Sequence, residues 1–130
     1  MYSVRVRDSV MIAHSLPDPF FGPAQRLHGA TFVVDVQFMS LRLNACNVVI
    51  DIGLARSTVS EALDGLRYQN LDELPEFEGA LSTAEHVAKH IHDLVKKQLG
   101  DRFDGALEVT LRETHDAWAS YRGTSANAPG

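Results

Sequence analysis

The chain has 130 residues, 45% of them hydrophobic and 22% charged, which is typical of one soluble globular domain with its own core. Its formal net charge of -5 argues against a surface for nucleic acid or an anionic membrane. No apolar run is long enough to span a bilayer, the first residues lack signal-peptide features, and a single cysteine excludes an internal disulfide. We therefore expect a cytoplasmic protein.

The first half of the chain predicts extended structure. Residues 2–14 alternate between apolar and polar side chains, as in a half-buried strand, and His14 falls on the apolar side. Residues 15–27 contain three prolines and predict a loop. A second strand is expected over residues 29–43, and residues 47–52 are expected to continue the extended chain.

Two helices are predicted next. Residues 53–66 place small and apolar side chains at helical spacing, and a loop is expected over residues 67–81. Ser82 and Glu85 then match a capping box, with Ser82 as the N-cap, and Gly100 suits the C-cap. The pattern predicts a second helix between these positions.

Two further strands are expected near the C-terminus, one marked by Leu107, Val109 and Leu111 and one over residues 117–121. This ββ-αα-ββ order predicts an α+β fold in which a four-stranded antiparallel sheet carries two helices on one face. We expect a single domain over residues 1–122 and a disordered tail over residues 123–130. The two edge strands of such a sheet favour oligomerisation.

Two histidines are candidate metal ligands. His14 ends the first strand, and His28 begins the second. Catalytic zinc usually takes three protein ligands, and the natural third position, two residues after His28, is Ala30. The pair could alternatively form only local hydrogen bonds. His86 and His90 are also spaced for chelation, but no third ligand lies nearby in sequence, and we expect them on a solvated helix flank.

Glu113 is the candidate ligand anchor. It continues the apolar face of the third strand, where a carboxylate is costly without a donor partner. Such a carboxylate could bind the adjacent N–H groups of a pterin or a guanine. The alternative interpretation is an exposed or frayed strand end.

Several short motifs together carry a family resemblance. They are His14, His28-Gly29, Val49-Ile50-Asp51-Ile52, Ser82-Thr83-Ala84-Glu85-His86-Val87-Ala88 and Arg112-Glu113-Thr114. Their order and spacing resemble the 6-pyruvoyl-tetrahydropterin synthase and 6-carboxy-tetrahydropterin synthase family, over nearly the whole chain. The resemblance implies the T-fold, in which trimers close a twelve-stranded β-barrel and two trimers stack into a homohexamer with active sites at subunit interfaces.

The resemblance also implies roles for individual residues. The family's pterin-binding carboxylate falls on Glu113, and its pocket motif falls on Thr83 and Glu85. The three zinc histidines of the family fall on His14, His28 and position 30. The family's catalytic cysteine lies four residues before the second zinc histidine, and an Asp-His pair lies in the loop after the first helix.

At each reactive position this chain departs from the family pattern. Ala24 stands at the cysteine position, Ala30 at the third zinc position, and Arg67 and Tyr68 at the Asp-His positions. Loss of a nucleophile or general base costs a factor of about 10² to 10⁴ in rate. We therefore expect no zinc, no other cofactor and none of the family's catalytic residues.

These residues predict a homologue that binds a pterin-like or purine-like heterocycle without the usual synthase reaction. His14 and His28 would then line the pocket with Glu113, Thr83 and Glu85. Arg67, Tyr68 or His28 could serve as acid-base groups in a different reaction.

Two other hypotheses stay open. One is a zinc-dependent lyase with a remodelled site, whose third ligand would be water, Asp18 or His115. The other is a purely structural oligomer, which would bind neither metal nor heterocycle. No partner nucleic acid or membrane is expected under any of these hypotheses.

Overall fold

Four strands and two helices make up the fold in the computed structural model, which describes residues 1–123. They are β1 (Tyr2–His14), β2 (His28–Ser40), α1 (Ile52–Leu63), α2 (Ala84–Leu99), β3 (Ala106–Arg112) and β4 (Trp118–Gly123). The strands form one antiparallel sheet in the order β1-β2-β3-β4. The predicted α+β class and the ββ-αα-ββ order are confirmed.

The core lies between the helices and one face of the sheet. On β2, alternate side chains from Phe32 to Phe38 are fully buried, as a period of two requires when one sheet face is covered. On α2, the buried residues recur every three or four positions and form the helical stripe that packs against the sheet. The buried side chains of α2 are Ala84, Val87, Ala88, Ile91, His92, Val95 and Leu99.

β1 and β2 form the longest ladder of the sheet. The register pairs Tyr2 with Ser40 at one end and His14 with His28 at the other. Directly opposite residues in an antiparallel pair have Cβ atoms about 4.5–5.5 Å apart. The register therefore brings the two histidines together at the edge of the sheet where β1 ends and β2 begins.

The connection before α1 differs from the prediction. β2 ends at Ser40 rather than at residue 43, and residues 47–52 do not continue the extended chain. Asn47 has a φ of 63°, which breaks the extended backbone, and the Asp51 side chain caps α1 by accepting from Leu54 N at 2.8 Å. The cap makes α1 begin at Ile52, and the helix ends at Leu63, three residues earlier than predicted.

The N-cap of α2 is Thr83 and not the predicted Ser82. The Thr83 hydroxyl accepts from His86 N at 3.2 Å, whereas Ser82 is buried and faces His14. At the other end, Gly100 is confirmed as the C-cap, with a φ of 56° that suits glycine. Short 3₁₀ turns lie in two loops: Pro19–Gln25 in the predicted loop between β1 and β2, and Leu71–Glu73 and Pro75–Phe77 in the loop between α1 and α2.

The last strand also extends beyond its prediction. β4 runs from Trp118 to Gly123, two residues further than expected, and Gly123 pairs with Leu107 of β3. The rest of the predicted tail, residues 124–130, lies outside the described residues. No helix among residues 1–123 is long and apolar enough to cross a membrane.

The sheet face opposite the helices carries a buried carboxylate that the sequence reasoning missed. Asp35 of β2 is only 2% exposed, because two arginine side chains from the neighbouring strands cover it. Arg7 makes two hydrogen bonds to its carboxylate, at 2.6 and 3.0 Å, and Arg112 makes a third at 3.0 Å. These contacts lower the pKa of Asp35, chiefly through the hydrogen bond from Arg7.

Candidate functional site

A pocket of about 400 Å³ opens where β1 ends, β2 begins and α2 starts. Its volume lies within the range of about 300–1,000 Å³ that is usual for small-molecule sites. We call it the histidine pocket, because His14 and His28 lie side by side in its wall. Its wall also includes four other positions singled out from the sequence: Ala24, Ala30, Thr83 and Glu85. Glu113 completes that set.

The two histidines contact each other edge to face. Their ring centroids are 4.6 Å apart, with an angle of 64° between the ring planes. His14 is only 1% exposed, and its ring also contacts Phe32 of the core, whereas His28 is half-buried. The core thus holds His14 rigidly, and His14 in turn supports His28 at the pocket wall.

Main-chain carbonyls orient both imidazoles. His14 Nδ1 lies 3.0 Å from the Ser82 carbonyl oxygen, and His28 Nδ1 lies 2.8 Å from the Arg26 carbonyl oxygen. A carbonyl oxygen only accepts, so both Nδ1 atoms donate, and the nitrogen of each ring that is left for another contact is Nε2. Burial, together with the neighbouring His28, lowers the pKa of His14 and keeps that ring neutral at pH 7.

Besides the two histidines, the other three predicted ligand-binding residues reach the pocket from the end of β3 and the start of α2. Glu113 directly follows β3 and is exposed, so its carboxylate is open to a ligand and to water. Thr83 and Glu85 come from the start of α2, where the Thr83 hydroxyl already caps the helix. The structure therefore brings Glu113, His14 and His28 to one pocket although they are distant in sequence.

The pocket wall contains two alanines where reactive groups would be needed. A hydrogen bond from Leu16 N to the Ala24 carbonyl, 3.0 Å long, folds the loop back and places Ala24 beside the histidines. Ala30 lies on β2, two residues after His28 and on the same face. Neither methyl group can act as a nucleophile or bind a metal.

The residues of the pocket do not fit a protein-bound zinc ion. His14 and His28 are two nitrogen donors, and Ala30 supplies no third. Within residues 1–123, no three His, Cys, Asp or Glu side chains are grouped so that they could hold a metal ion. Asp18 and His115, the alternative third ligands, are not among the residues that line the pocket.

The comparison with known protein families matches most of the chain. The model of the 6-pyruvoyl tetrahydropterin synthase family matches residues 3–124. The chain belongs to this family. No curated protein gives a significant match.

Solved structures share the fold of this family member. The 6-pyruvoyl tetrahydropterin synthase of Caenorhabditis elegans is 24% identical, with a TM-score of 0.83 over 95% of this chain and 96% of that one. The enzyme of Plasmodium vivax is 14% identical, with a TM-score of 0.78 over 95% and 99%. An uncharacterized protein from Wolinella succinogenes is 16% identical, with a TM-score of 0.68 over 92% and 97%. The predicted T-fold is confirmed for this synthase-family chain.

Arg67 and Tyr68, the candidate acid-base groups, do not line the histidine pocket of this synthase-family chain. Arg67 instead binds Asp8 at 3.2 Å and Asp64 at 3.1 Å, so it joins the end of α1 to β1. Tyr68 donates its backbone N–H to Met11 at 2.7 Å, and its side chain is 80% exposed. Within one chain, these contacts give Arg67 a structural role and keep both residues out of the pocket.

Sequence reasoning missed several residues of the site. Ser82 holds His14 through its carbonyl and its hydroxyl, each 3.0 Å from Nδ1. Leu16, Phe21 and Ala84 complete the apolar part of the wall. The sequence contained one indication of this role. Ser82 and Thr83 are adjacent hydroxyl residues, and a helix N-cap uses only one of them, so the other could serve the site.

The second pair of histidines is not on a solvated flank. His86 and His90 are half-buried, and their rings lie 5.6 and 5.0 Å from the ring of Phe77. Burial is the main cause that lowers the pKa of His90. Their contacts with Phe77 show that they pack the loop before α2 onto the helix.

Proposed function

We propose that this chain binds a pterin-like or purine-like heterocycle in the histidine pocket and does not catalyse the synthase reaction of its family. One observation carries this proposal. The pocket keeps the carboxylate of Glu113, while Ala24 and Ala30 stand at the positions of the nucleophile and the third metal ligand. The groups suited to hold a heterocycle are present, and those suited to make and break bonds are replaced by methyl groups.

Glu113 would hold the heterocycle through two hydrogen bonds. A pterin or a guanine has an amino group and a ring N–H side by side, and the two oxygens of one carboxylate can accept from both. The Thr83 hydroxyl supports this arrangement from the start of α2, where it is fixed by its cap hydrogen bond. The apolar wall formed by Leu16, Phe21 and Ala84 suits the faces of a flat ring.

The proposed assembly is a homohexamer, a dimer of barrel-forming trimers. β1 and β4 are the edges of the sheet, and edge strands present unpaired backbone groups. The segment after α1 covers the last part of β1: Tyr68 N donates to the Met11 carbonyl, Ala13 N donates to the Gln69 carbonyl, and Ala13 forms a bridge with Asn70. Light scattering should give six times the chain mass of 14.3 kDa. A monomer would contradict the proposed assembly.

Titration with neopterin, followed by pterin fluorescence, tests the binding proposal. Glu113→Ala should weaken binding about 100-fold or more, because it removes two hydrogen bonds to a charged acceptor. Glu78→Ala is the matched control, since Glu78 is exposed in the loop before α2 and does not line the pocket. Failure of the wild-type protein to bind any pterin would overturn the proposal.

Metal analysis and a synthase assay test the proposal that the chain does not catalyse the synthase reaction of its family. We expect neither stoichiometric zinc nor turnover of the family's substrate by the purified protein. Zinc at one ion per chain, lost in His14→Ala together with turnover, would favour the zinc-dependent lyase instead.

A further inference from the structure

The sheet face opposite the helices concentrates positive charge, and we call it the open face. Residues that are paired across the four strands share one face, so the register places four arginines and two carboxylates there. Because the chain as a whole has a net charge of -5, the open face has the opposite sign to the protein. The charged strand residues of the open face are Arg5, Arg7, Asp35, Glu108, Arg112 and Arg122.

Two of these arginines are held in place by the buried carboxylate of Asp35. Nε and Nη2 of Arg7 donate to it at 2.6 and 3.0 Å, and Nε of Arg112 donates to it at 3.0 Å. The guanidinium group of Arg112 also lies 4.4 Å from the ring centre of Trp118. One carboxylate and one aromatic ring therefore fix two guanidinium groups side by side.

Ion pairing leaves two positive charges of the open face unbalanced. Arg122 pairs with Glu108 at 2.9 Å, and Asp35 balances only one of the two arginines that it binds. Arg5 instead donates to the amide oxygen of Gln37 at 2.9 Å, and this neutral partner leaves its charge uncompensated. The excess matches the charge of one dianion.

The three arginines nearest this excess keep hydrogen-bond donors that the fold does not use. Nη1 of Arg5, Nη1 of Arg7 and both Nη atoms of Arg112 make no hydrogen bond to any residue that the structure describes. Arg5 and Arg7 are two residues apart on the same face of β1, and Arg7 and Arg112 share Asp35. The side chain of Arg7 is 61% exposed and that of Arg112 is 27% exposed, so both groups are open to a ligand.

We propose that Arg5, Arg7 and Arg112 form a binding site for a doubly charged oxyanion, either a phosphate or a dicarboxylate. Guanidinium donors match the oxygen atoms of both groups. Asp35 is the positioning residue, because it holds two of the guanidinium groups and leaves their outer donors for the ligand. None of these residues lines the histidine pocket, so the site is separate from the proposed heterocycle site. All its groups come from one chain, and subunits that pair along β1 and β4 would extend the sheet without covering its face.

Trp118 provides a direct readout of binding. It is the only tryptophan of the chain and lies against Arg112, so its fluorescence reports on this site. The full-length protein is titrated at about pH 8 with inorganic phosphate and with malonate, and with sodium chloride at matched ionic strength. At least one dianion should give a saturable change, and chloride should not. The tighter-binding dianion distinguishes a phosphate site from a dicarboxylate site. Equal, unsaturable responses to all three salts would overturn the proposal and leave the proposed function intact.

Arginine variants test which residues bind the anion. Arg7→Gln should weaken binding about tenfold or more, and Arg112 still pairs with Asp35 in this variant. Arg5→Gln leaves every contact of Asp35 in place and should weaken binding about threefold or more. Arg56→Gln is the matched control, because it removes one positive charge from the exposed side of α1, and its affinity should equal that of the wild type. Equal affinities in all three variants would contradict the assignment of the site to the open face.

Discussion

His14 and His28 stand opposite each other in the register of β1 and β2, with ring centroids 4.6 Å apart. The carbonyls of Ser82 and Arg26 fix both rings through Nδ1 and leave Nε2 for another contact. Two imidazole nitrogens near one pocket are a partial metal site, and Ala30 determines that the site has two donors instead of three.

Restoring the missing donor should restore metal binding. Ala30 lies on the same strand face as His28 and in the same pocket, so Ala30→His adds a third imidazole beside the existing two. After zinc loading and dialysis, the variant should retain about one zinc ion per chain, the stoichiometry of a three-ligand catalytic site. Mass spectrometry of the metal content measures this directly.

Ala30→Leu is the control, because it fills the same space without a donor. It should retain no more zinc than the wild-type protein. Equal zinc content in Ala30→His, Ala30→Leu and the wild type would show that position 30 does not limit metal binding.

The lowered pKa of His14 predicts acid sensitivity of the fold near neutral pH. Because the folded pKa lies below the unfolded value of about 6.5, the unfolded chain takes up the proton first. The associated stability is fully present above about pH 6.5 and is lost as the pH falls towards the folded pKa. The free energy of unfolding in urea, measured from pH 8 to pH 5, should therefore decrease.

In His14→Gln the free energy of unfolding should fall less between pH 8 and pH 5, because glutamine does not titrate. Part of the pH dependence should remain, since the pKa of His90 is lowered in the same direction. An identical pH dependence in His14→Gln and in the wild-type protein would contradict the prediction.

Asp35 should stabilise the sheet through its two arginine partners. Asp35→Asn removes the charge that Arg7 and Arg112 bind, and we expect a loss of about 1–3 kcal/mol at pH 7, at the lower end because Arg7 is largely exposed. Since the pKa of Asp35 is lowered, this contribution is present above about pH 3.9 and is lost below it. The difference in free energy of unfolding between Asp35→Asn and the wild type should therefore persist at pH 5 and become smaller towards pH 2.

Chemical denaturation at pH 7, 5 and 3 measures this difference. Asp116→Asn, which changes an exposed carboxylate in the turn between β3 and β4, is the control and should stay within about 0.5 kcal/mol of the wild type. A wild-type level of stability in Asp35→Asn at pH 7 would contradict the prediction.

The sequence predicted the structure best where the burial of one sheet face imposes a regular alternation of apolar and polar residues. The alternation of β1 continues to His14, and this phase predicted that the histidine faces the covered side of the sheet, where it is 1% exposed. The order of elements followed from the same patterns. The pairing of His14 with His28 comes from the register of β1 and β2, which the structure supplies.

Local capping was harder to predict than burial. Residues 47–52 are apolar enough to suggest a strand, but the hydrogen bond from Leu54 N to Asp51 starts a helix there. Ser82 and Thr83 both suit an N-cap by composition. The choice between them depends on His14, which uses Ser82 from 68 positions away.

Long-range polar contacts could not be predicted from one sequence. Asp35 sits in an apolar run, and its partners Arg7 and Arg112 are 28 and 77 positions away. Only the register of three strands brings these charges together, and the sequence patterns do not specify that register.

The thermal stability of metal-free protein with and without neopterin tests the central claim most directly. After treatment with EDTA, neopterin at one hundred times its Kd should stabilise the fold by about 2.7 kcal/mol and raise the melting temperature. Glu113→Ala should show no such rise at the same concentration. An unchanged melting temperature in the wild-type protein, or a rise only after zinc is added back, would contradict a heterocycle pocket that works without metal.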